Sequence, residues 1–169
     1  MLLIDIAKLL IFPTVMAFAA SSDFFTMTIS NRISLILTAG FFALALGTGM
    51  PLVEIGNHVA AGALVLALAF FFFIRRWVGG GDAKLAAATA LWFGWAHLFD
   101  YMLYASLLGG VLTLALLEFR KLTMPRPLIG KEWAERLHRP GGGVPYGIAL
   151  AIAALVIYPS TIWMQGLGQ

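Results

Sequence analysis

The chain contains no cysteine and few charged residues. Without cysteine it forms no disulfide, no iron–sulfur cluster and no thiolate zinc site. Charged residues are 11% of the 169 residues and hydrophobic residues are 61%, whereas about a quarter of a soluble domain is usually charged. A chain this apolar cannot be solvated on all sides. The composition therefore excludes a disordered chain and a free cytosolic enzyme, and it predicts a membrane protein.

Six apolar runs have roughly the length of a membrane-spanning helix, which needs about 20 mostly apolar residues. They cover approximately residues 2–20, 33–52, 59–74, 83–98, 101–119 and 144–164. The break between the fourth and fifth runs is placed at Trp95, His97 and Asp100, residue types that are typical of a membrane interface. The sequence thus predicts an all-α, multi-pass membrane protein of one domain, with a basic loop at 120–143.

The basic residues indicate an orientation rather than a nucleic-acid partner. The net charge is only +3, and these residues stand between apolar runs instead of along one polar face. With six spans, all of the 11 Lys and Arg residues except Lys8 fall on the same side of the membrane. Cytoplasmic connections are the ones enriched in Lys and Arg. The pattern therefore predicts that these connections are cytoplasmic and that both termini lie on the outer side.

Two acidic residues lie at the same predicted membrane depth. Asp23 follows the first run and Asp82 opens the fourth, both on the side of the basic connections. Asp82 ends the run Gly79-Gly80-Gly81-Asp82, where glycines without a Cβ atom would let an extended substrate strand lie beside the carboxylate. Each residue alone also has an ordinary interpretation: Asp82 as the N-cap of a helix, and Asp23 as an interfacial residue facing headgroups and water. Their pairing on one side favours a joint catalytic role.

The segment around Asp82 resembles a known motif. Gly79-x-Gly81-Asp82 matches the GxGD motif of intramembrane aspartyl proteases. Its continuation through Lys84 is similar to the second catalytic motif of the type IV prepilin peptidases. The resemblance therefore names a family in which an Asp at this position is catalytic.

Two further segments resemble the same family. Its first motif is an Asp followed shortly by Ile-Pro-Asn, and here Asp23 precedes Ile-Ser-Asn at 29–31, so that Ser30 stands where the family has proline. Its third recurring segment opens the last span. The matching residues here are Pro145, Tyr146 and Gly147. The three segments occur in the family's order and extend over nearly the whole chain.

The resemblance implies an intramembrane aspartic endopeptidase, similar to the short prepilin peptidases of tight-adherence (Flp) pili. It implies that Asp23 and Asp82 activate a water molecule and remove the leader peptide of a prepilin at the cytoplasmic boundary of the bacterial inner membrane. No metal or organic cofactor is expected. The implied partners are the prepilin, membrane lipid and the assembly proteins of a pilus or secretion machine. The implied site-shaping residues are Gly79, Gly81, Asn31, Lys84, Pro145, Tyr146 and Gly147.

Longer members of that family carry a cytoplasmic insertion, often with a four-cysteine zinc site, and also N-methylate the mature pilin. This sequence has neither the insertion nor a cysteine, so N-methyltransferase activity is not predicted. Two other functions stay open. A non-catalytic membrane scaffold of a pilus or secretion machine is one, because Ser30 departs from the motif. A small ion- or proton-coupled transporter is the other, although the acids lie at one face rather than across the midplane.

Overall fold

The computed structural model describes residues 2–165, which form helices and connecting turns. The helices are α1 (Leu2–Thr26), α2 (Asn31–Gly47), α3 (Leu52–Ile74), α4 (Gly80–Lys121), α5 (Glu132–His138) and α6 (Tyr146–Ile157), with 3-10 turns at Arg126–Leu128 and Tyr158–Ser160. By length and composition, α1, α3 and α4 are each sufficient to cross a membrane. The predicted all-α membrane class is confirmed.

Helix α4 is the centre of the bundle. It packs most extensively against α3 and also against α6 and α2, while α1 packs against α2 and α6. Large buried side chains from three helices meet in the core: Phe12 of α1, Phe41 of α2 and Trp92 of α4. The outward faces carry many exposed Leu, Ile, Val and Phe side chains. Such a surface is solvated by lipid, whose chains are as apolar as these residues.

Two helices end in left-handed caps near the start of α4. Helix α1 extends beyond the predicted first span to Thr26, and the next residue, Met27, has a φ of 52° and donates its N–H to the carbonyl of Asp23 at 2.8 Å. Helix α3 ends at Ile74; Arg76 follows with a φ of 60°, and the N–H of Trp77 donates to the carbonyl of Phe72 at 3.0 Å. These bonds satisfy carbonyl groups that a helix end otherwise leaves without a partner.

The fourth and fifth predicted spans are joined differently from the prediction. The segment 98–101, predicted as a turn, is helical, and the break in α4 lies at Gly94, where φ is 58° and ψ is −166°. The 42 residues of α4 would extend about 63 Å as one straight helix, roughly twice the hydrocarbon thickness of a bilayer. Interface residues such as Trp95 and Asp100 are compatible with a helix, whereas only glycine readily adopts the backbone angles of the break.

We expect Gly94→Ala to destabilise the bundle. A Cβ atom at Gly94 would lie 2.9 Å from Cε1 of His58, a buried side chain whose Nδ1 lies 2.8 Å from the carbonyl oxygen of Leu91. The overlap and the positive φ together predict a loss of about 2–5 kcal/mol in the free energy of unfolding. Thermal unfolding in detergent measures it. Gly49→Ala is the control, because Gly49 also has a positive φ (71°) but no neighbouring atom within 4 Å; equal losses in both variants would contradict the steric argument.

The last helix is shorter than the predicted span 144–164. Helix α6 ends at Ile157, and the following 3-10 turn contains Pro159, which lacks the N–H that would continue an α-helix. Between α4 and α6, the predicted basic loop 120–143 contains the short helix α5, which buries Ala134 and Leu137.

Candidate active site

Asp23 and Asp82 line one cavity at the end of the bundle where α4 begins. The cavity has a volume of about 750 Å³ and is bordered by the end of α1, the α3–α4 turn and the segment before α6. Asp23 is only 4% exposed, whereas Asp82 is half-buried. Within residues 2–165, no three His, Asp or Glu side chains form a group that could hold a metal ion. The cavity therefore offers two carboxyl groups that are distant in sequence.

The last turn of α1 and the first turn of α6 together position Asp23. Its Oδ2 accepts the N–H of Gly147 at 2.7 Å. The first N–H groups of a helix have no partner within the helix, and the helix dipole there favours a negative charge. The same Gly147 N–H also faces the carboxyl group of Asp82. The start of α6 thus supplies a backbone donor that lies next to both carboxyl groups.

Three glycines allow the backbone to approach the carboxyl groups closely. A Cβ atom at Gly79 would lie 2.7 Å from Oδ2 of Asp82, and one at Gly147 would lie 2.8 Å from Oδ2 of Asp23. A Cβ atom at Gly81 would lie 2.9 Å from a side chain of the α1–α2 connection. Real Cβ atoms essentially never have neighbours this close. A residue with a Cβ atom at any of these positions would therefore force a neighbouring group to move.

Ile29 is the side chain that Gly81 approaches, and it is a site residue that the sequence does not predict. Its Cβ lies against Gly81, and its Cδ1 would lie 2.6 Å from a Cβ atom at Gly147. Ile29 therefore packs the α1–α2 connection against the starts of both α4 and α6. The only sequence signal for it is its place inside the segment that begins at Asp23.

Asn31 and Lys84 contact each other and line a different cavity, which lies between α2, α3 and α4. Lys84 Nζ donates to Asn31 Oδ1 at 2.8 Å, so the pair joins the start of α2 to the first turns of α4. Ser30 caps α2 with φ −65° and ψ 141°, and its side chain accepts the N–H of Arg32. Proline adopts the same φ. Ser30 therefore has a backbone conformation that proline could also adopt, and its side chain adds a helix cap.

Pro145 and Tyr146 lead into α6. Pro145 is buried at the N-cap position. The hydroxyl of Tyr146 lies 3.1 Å from Oγ1 of Thr113, and its ring lies against Gly109. Tyr146 and Asp82 line both the carboxyl cavity and a second, apolar cavity of about 730 Å³ between α3, α4 and α6. Trp77 and Val78 also line both, so the two cavities adjoin at these four residues.

Arg120 holds the loop that precedes α6. Its guanidinium group donates to the carbonyl oxygens of Leu137 at 2.8 Å, Gly142 at 3.0 Å and Gly143 at 2.6 Å. Gly142 and Gly143 line the carboxyl cavity. Hydrogen bonds from a charged donor are stronger than neutral ones, so Arg120 stabilises the loop that leads to Gly147. Nothing local in the sequence distinguishes Arg120 from the other cations of the basic loop, so the sequence does not predict this role.

The fold and this cavity define a class: a helical membrane protein with two carboxyl groups at one end of its bundle. The chain belongs to the type IV leader peptidase family, whose family model matches residues 10–114. A prepilin leader peptidase/N-methyltransferase of Dickeya chrysanthemi is 37% identical over 90 residues, which are 51% of this chain. The match spans 32% of that relative's length. No solved structure matches the chain. The family membership expected from the sequence is confirmed.

Proposed function

We propose that the protein is an intramembrane aspartic endopeptidase that removes leader peptides from prepilins. The observation that carries the proposal is that Asp23 and Asp82 line one cavity, with the N–H of Gly147 next to both. Membership of the leader peptidase family supports a peptidase. The name of the relative supports a prepilin as the substrate.

In the proposed reaction, the two carboxyl groups share one proton and hold a water molecule. The ionised carboxylate takes a proton from the water as the water oxygen attacks the scissile carbonyl carbon, and the protonated partner donates to the carbonyl oxygen. The ionised carboxylate then takes a hydroxyl proton from the tetrahedral intermediate as the C=O bond re-forms and the C–N bond breaks. The other carboxyl group gives its proton to the leaving amine, so that the pair again holds one proton. Because the two groups titrate as a unit, the shared proton belongs to the pair rather than to either residue.

The apolar cavity beside Asp82 suits a substrate with an apolar membrane segment. It shares four lining residues with the carboxyl cavity: Trp77, Val78, Asp82 and Tyr146. Gly110 lies on its wall, and an added Cβ atom there would meet no atom within 4 Å, which leaves room for another helix to approach. An apolar helix in this cavity would continue into a polar leader in the carboxyl cavity. The boundary between the two parts of the substrate would then lie at Asp82.

The proposed setting is the bacterial inner membrane, with the carboxyl cavity at the cytoplasmic face. The basic residues of the α3–α4 turn and of the 120–139 segment lie at this end of the bundle, and connections rich in Lys and Arg stay in the cytoplasm. We propose one multi-pass peptidase domain in the tight-adherence pilus class, with pilus or secretion assembly proteins as further partners. The proposal covers leader removal and does not include N-methylation.

Co-expression with a tagged prepilin precursor tests the proposal. We expect the wild-type chain to shorten the precursor, with a new N-terminus at the boundary between leader and apolar segment when the product is analysed by mass spectrometry. The control is a variant with both Asp23→Asn and Asp82→Asn, matched for its level in the membrane by blot. A well-inserted wild type that cleaves no precursor would favour the scaffold function. Ion flux into liposomes without peptide would favour the transporter.

A further inference from the structure

We propose that the cavity between α2, α3 and α4 binds an anionic phospholipid, with its phosphate at Lys84 and one acyl chain along the cavity. The cavity has a volume of about 530 Å³. It shares no lining residue with the carboxyl cavity or the apolar cavity. It is therefore a separate site, and the inference goes beyond the proposed peptidase function without depending on it.

The cavity exists because two consecutive helices hardly pack against each other. Helices α2 and α3 both pack against α4, but few contacts join α2 to α3. Ala87 and Ala88 of α4 form the floor of the cleft between them, and its α2 wall extends from Asn31 to Phe42, about 16 Å along a helix. That length matches about half the hydrocarbon thickness of a bilayer, which is the depth that one acyl chain covers.

One end of this apolar cleft carries hydrogen-bond donors and a positive charge. Lys84 Nζ donates to Asn31 Oδ1 at 2.8 Å, which leaves two ammonium protons for other acceptors. Neither of the salt bridges found within residues 2–165 includes Lys84. The buried Oγ of Ser34, next along the same wall, has no hydrogen-bond partner. A phosphate group would accept from the two remaining ammonium protons of Lys84 and neutralise its charge.

The two halves of the cleft together select a phospholipid. A free phosphate ion would occupy the polar end and leave the apolar length unfilled. A zwitterionic lipid would bring a phosphate whose charge its own cationic headgroup already balances, so it would neutralise Lys84 less well. Basic pockets between transmembrane helices bind the headgroups of anionic lipids. Lys84 lies two residues after Asp82, so the bound lipid would anchor the first turns of α4 beside the carboxyl cavity.

Native mass spectrometry of the purified full chain tests the charged end of the site. Dioleoyl phosphatidylglycerol and dioleoyl phosphatidylcholine are added at equal concentrations. We expect the wild type to bind phosphatidylglycerol about fivefold more tightly, the gain from one lysine near an anionic headgroup. Lys84→Gln should lose this preference and Lys84→Arg should keep it. Lys121→Gln is the matched control, because Lys121 is exposed and bonded to Glu118, and it should also keep the preference.

Ala63→Phe tests the apolar end. Ala63 is exposed and lines the cleft, so a phenylalanine there would fill the cleft without disturbing the core, and binding of both lipids should fall. Inorganic phosphate at the same concentration should not displace phosphatidylglycerol. Equal binding of the two lipids by the wild type, equal losses in Lys84→Gln and Lys121→Gln, unchanged binding in Ala63→Phe, or displacement by phosphate would each overturn the assignment. The readout is binding, so its failure is distinguishable from a failure of the peptidase proposal.

Discussion

Replacing Asp82 by asparagine is expected to lower the rate of prepilin cleavage by about 10³-fold or more, within the upper range of acid–base contributions. Asparagine keeps the size of the side chain but can neither accept the proton of the attacking water nor hold the shared proton. Asp23→Asn should have the same effect, although its amide oxygen can still accept the N–H of Gly147. Initial rates of leader removal by the purified variants measure both effects, and KM should change little because the substrate still binds.

The double variant provides the sharper comparison. If the two carboxyl groups act as one unit, Asp23→Asn/Asp82→Asn will be no slower than either single variant, because residues that act together are not additive. Multiplication of the two single effects would instead indicate independent roles and contradict the shared-proton mechanism. Asp100→Asn is the matched control. Asp100 is exposed and lies beyond the Gly94 break in α4, so its replacement should leave the rate unchanged.

The helical membrane class and the neighbourhood of Asp82 are predictable because their signals are local. Apolar runs of the length of a bilayer identify the helices from composition alone. Glycines beside an acidic residue at the start of α4 indicate that the backbone lies close to neighbouring groups. Gly79 lies close to the carboxyl group of Asp82, and Gly81 lies close to Ile29. The serine at position 30, where the motif that the sequence resembles has proline, also has a local explanation, because its φ of −65° is open to both residues.

The remaining parts of the site come from contacts between distant segments. The bonds from Arg120 to the loop before α6 depend on how α4 and α6 pack, and no local pattern encodes them. The break in α4 is similar. A glycine within an apolar run is often tolerated in a helix, and the buried ring of His58 against Gly94 belongs to another helix. The interface residue types Trp95, His97 and Asp100 were the stronger local signal for a break between two spans, but these residues are helical.

Gly147→Ala is expected to lower the rate of cleavage by about 10²-fold, the cost of misplacing a reacting group by about an ångström. The new Cβ atom would lie 2.8 Å from Oδ2 of Asp23 and 2.6 Å from Cδ1 of Ile29. The start of α6 must therefore move away, and the 2.7 Å bond from its N–H to Asp23 is lost. The measurement is kcat and KM for a purified prepilin. Gly56→Ala is the control, because a Cβ atom at Gly56 of α3 meets no atom within 4 Å.

A second substitution separates displacement of Asp23 from a general loss of stability. Ile29→Val removes the Cδ1 atom that the alanine at 147 would meet first, but it leaves the contact with the carboxyl group unchanged. If the catalytic defect comes from the carboxyl group, the double variant Ile29→Val/Gly147→Ala should regain thermal stability in detergent and recover little of kcat. Full recovery of kcat would show that the loss of activity in Gly147→Ala comes from the clash with Ile29 rather than from the contact with Asp23. The approach of α6 to Asp23 would then be a packing requirement of the bundle and not a condition for catalysis.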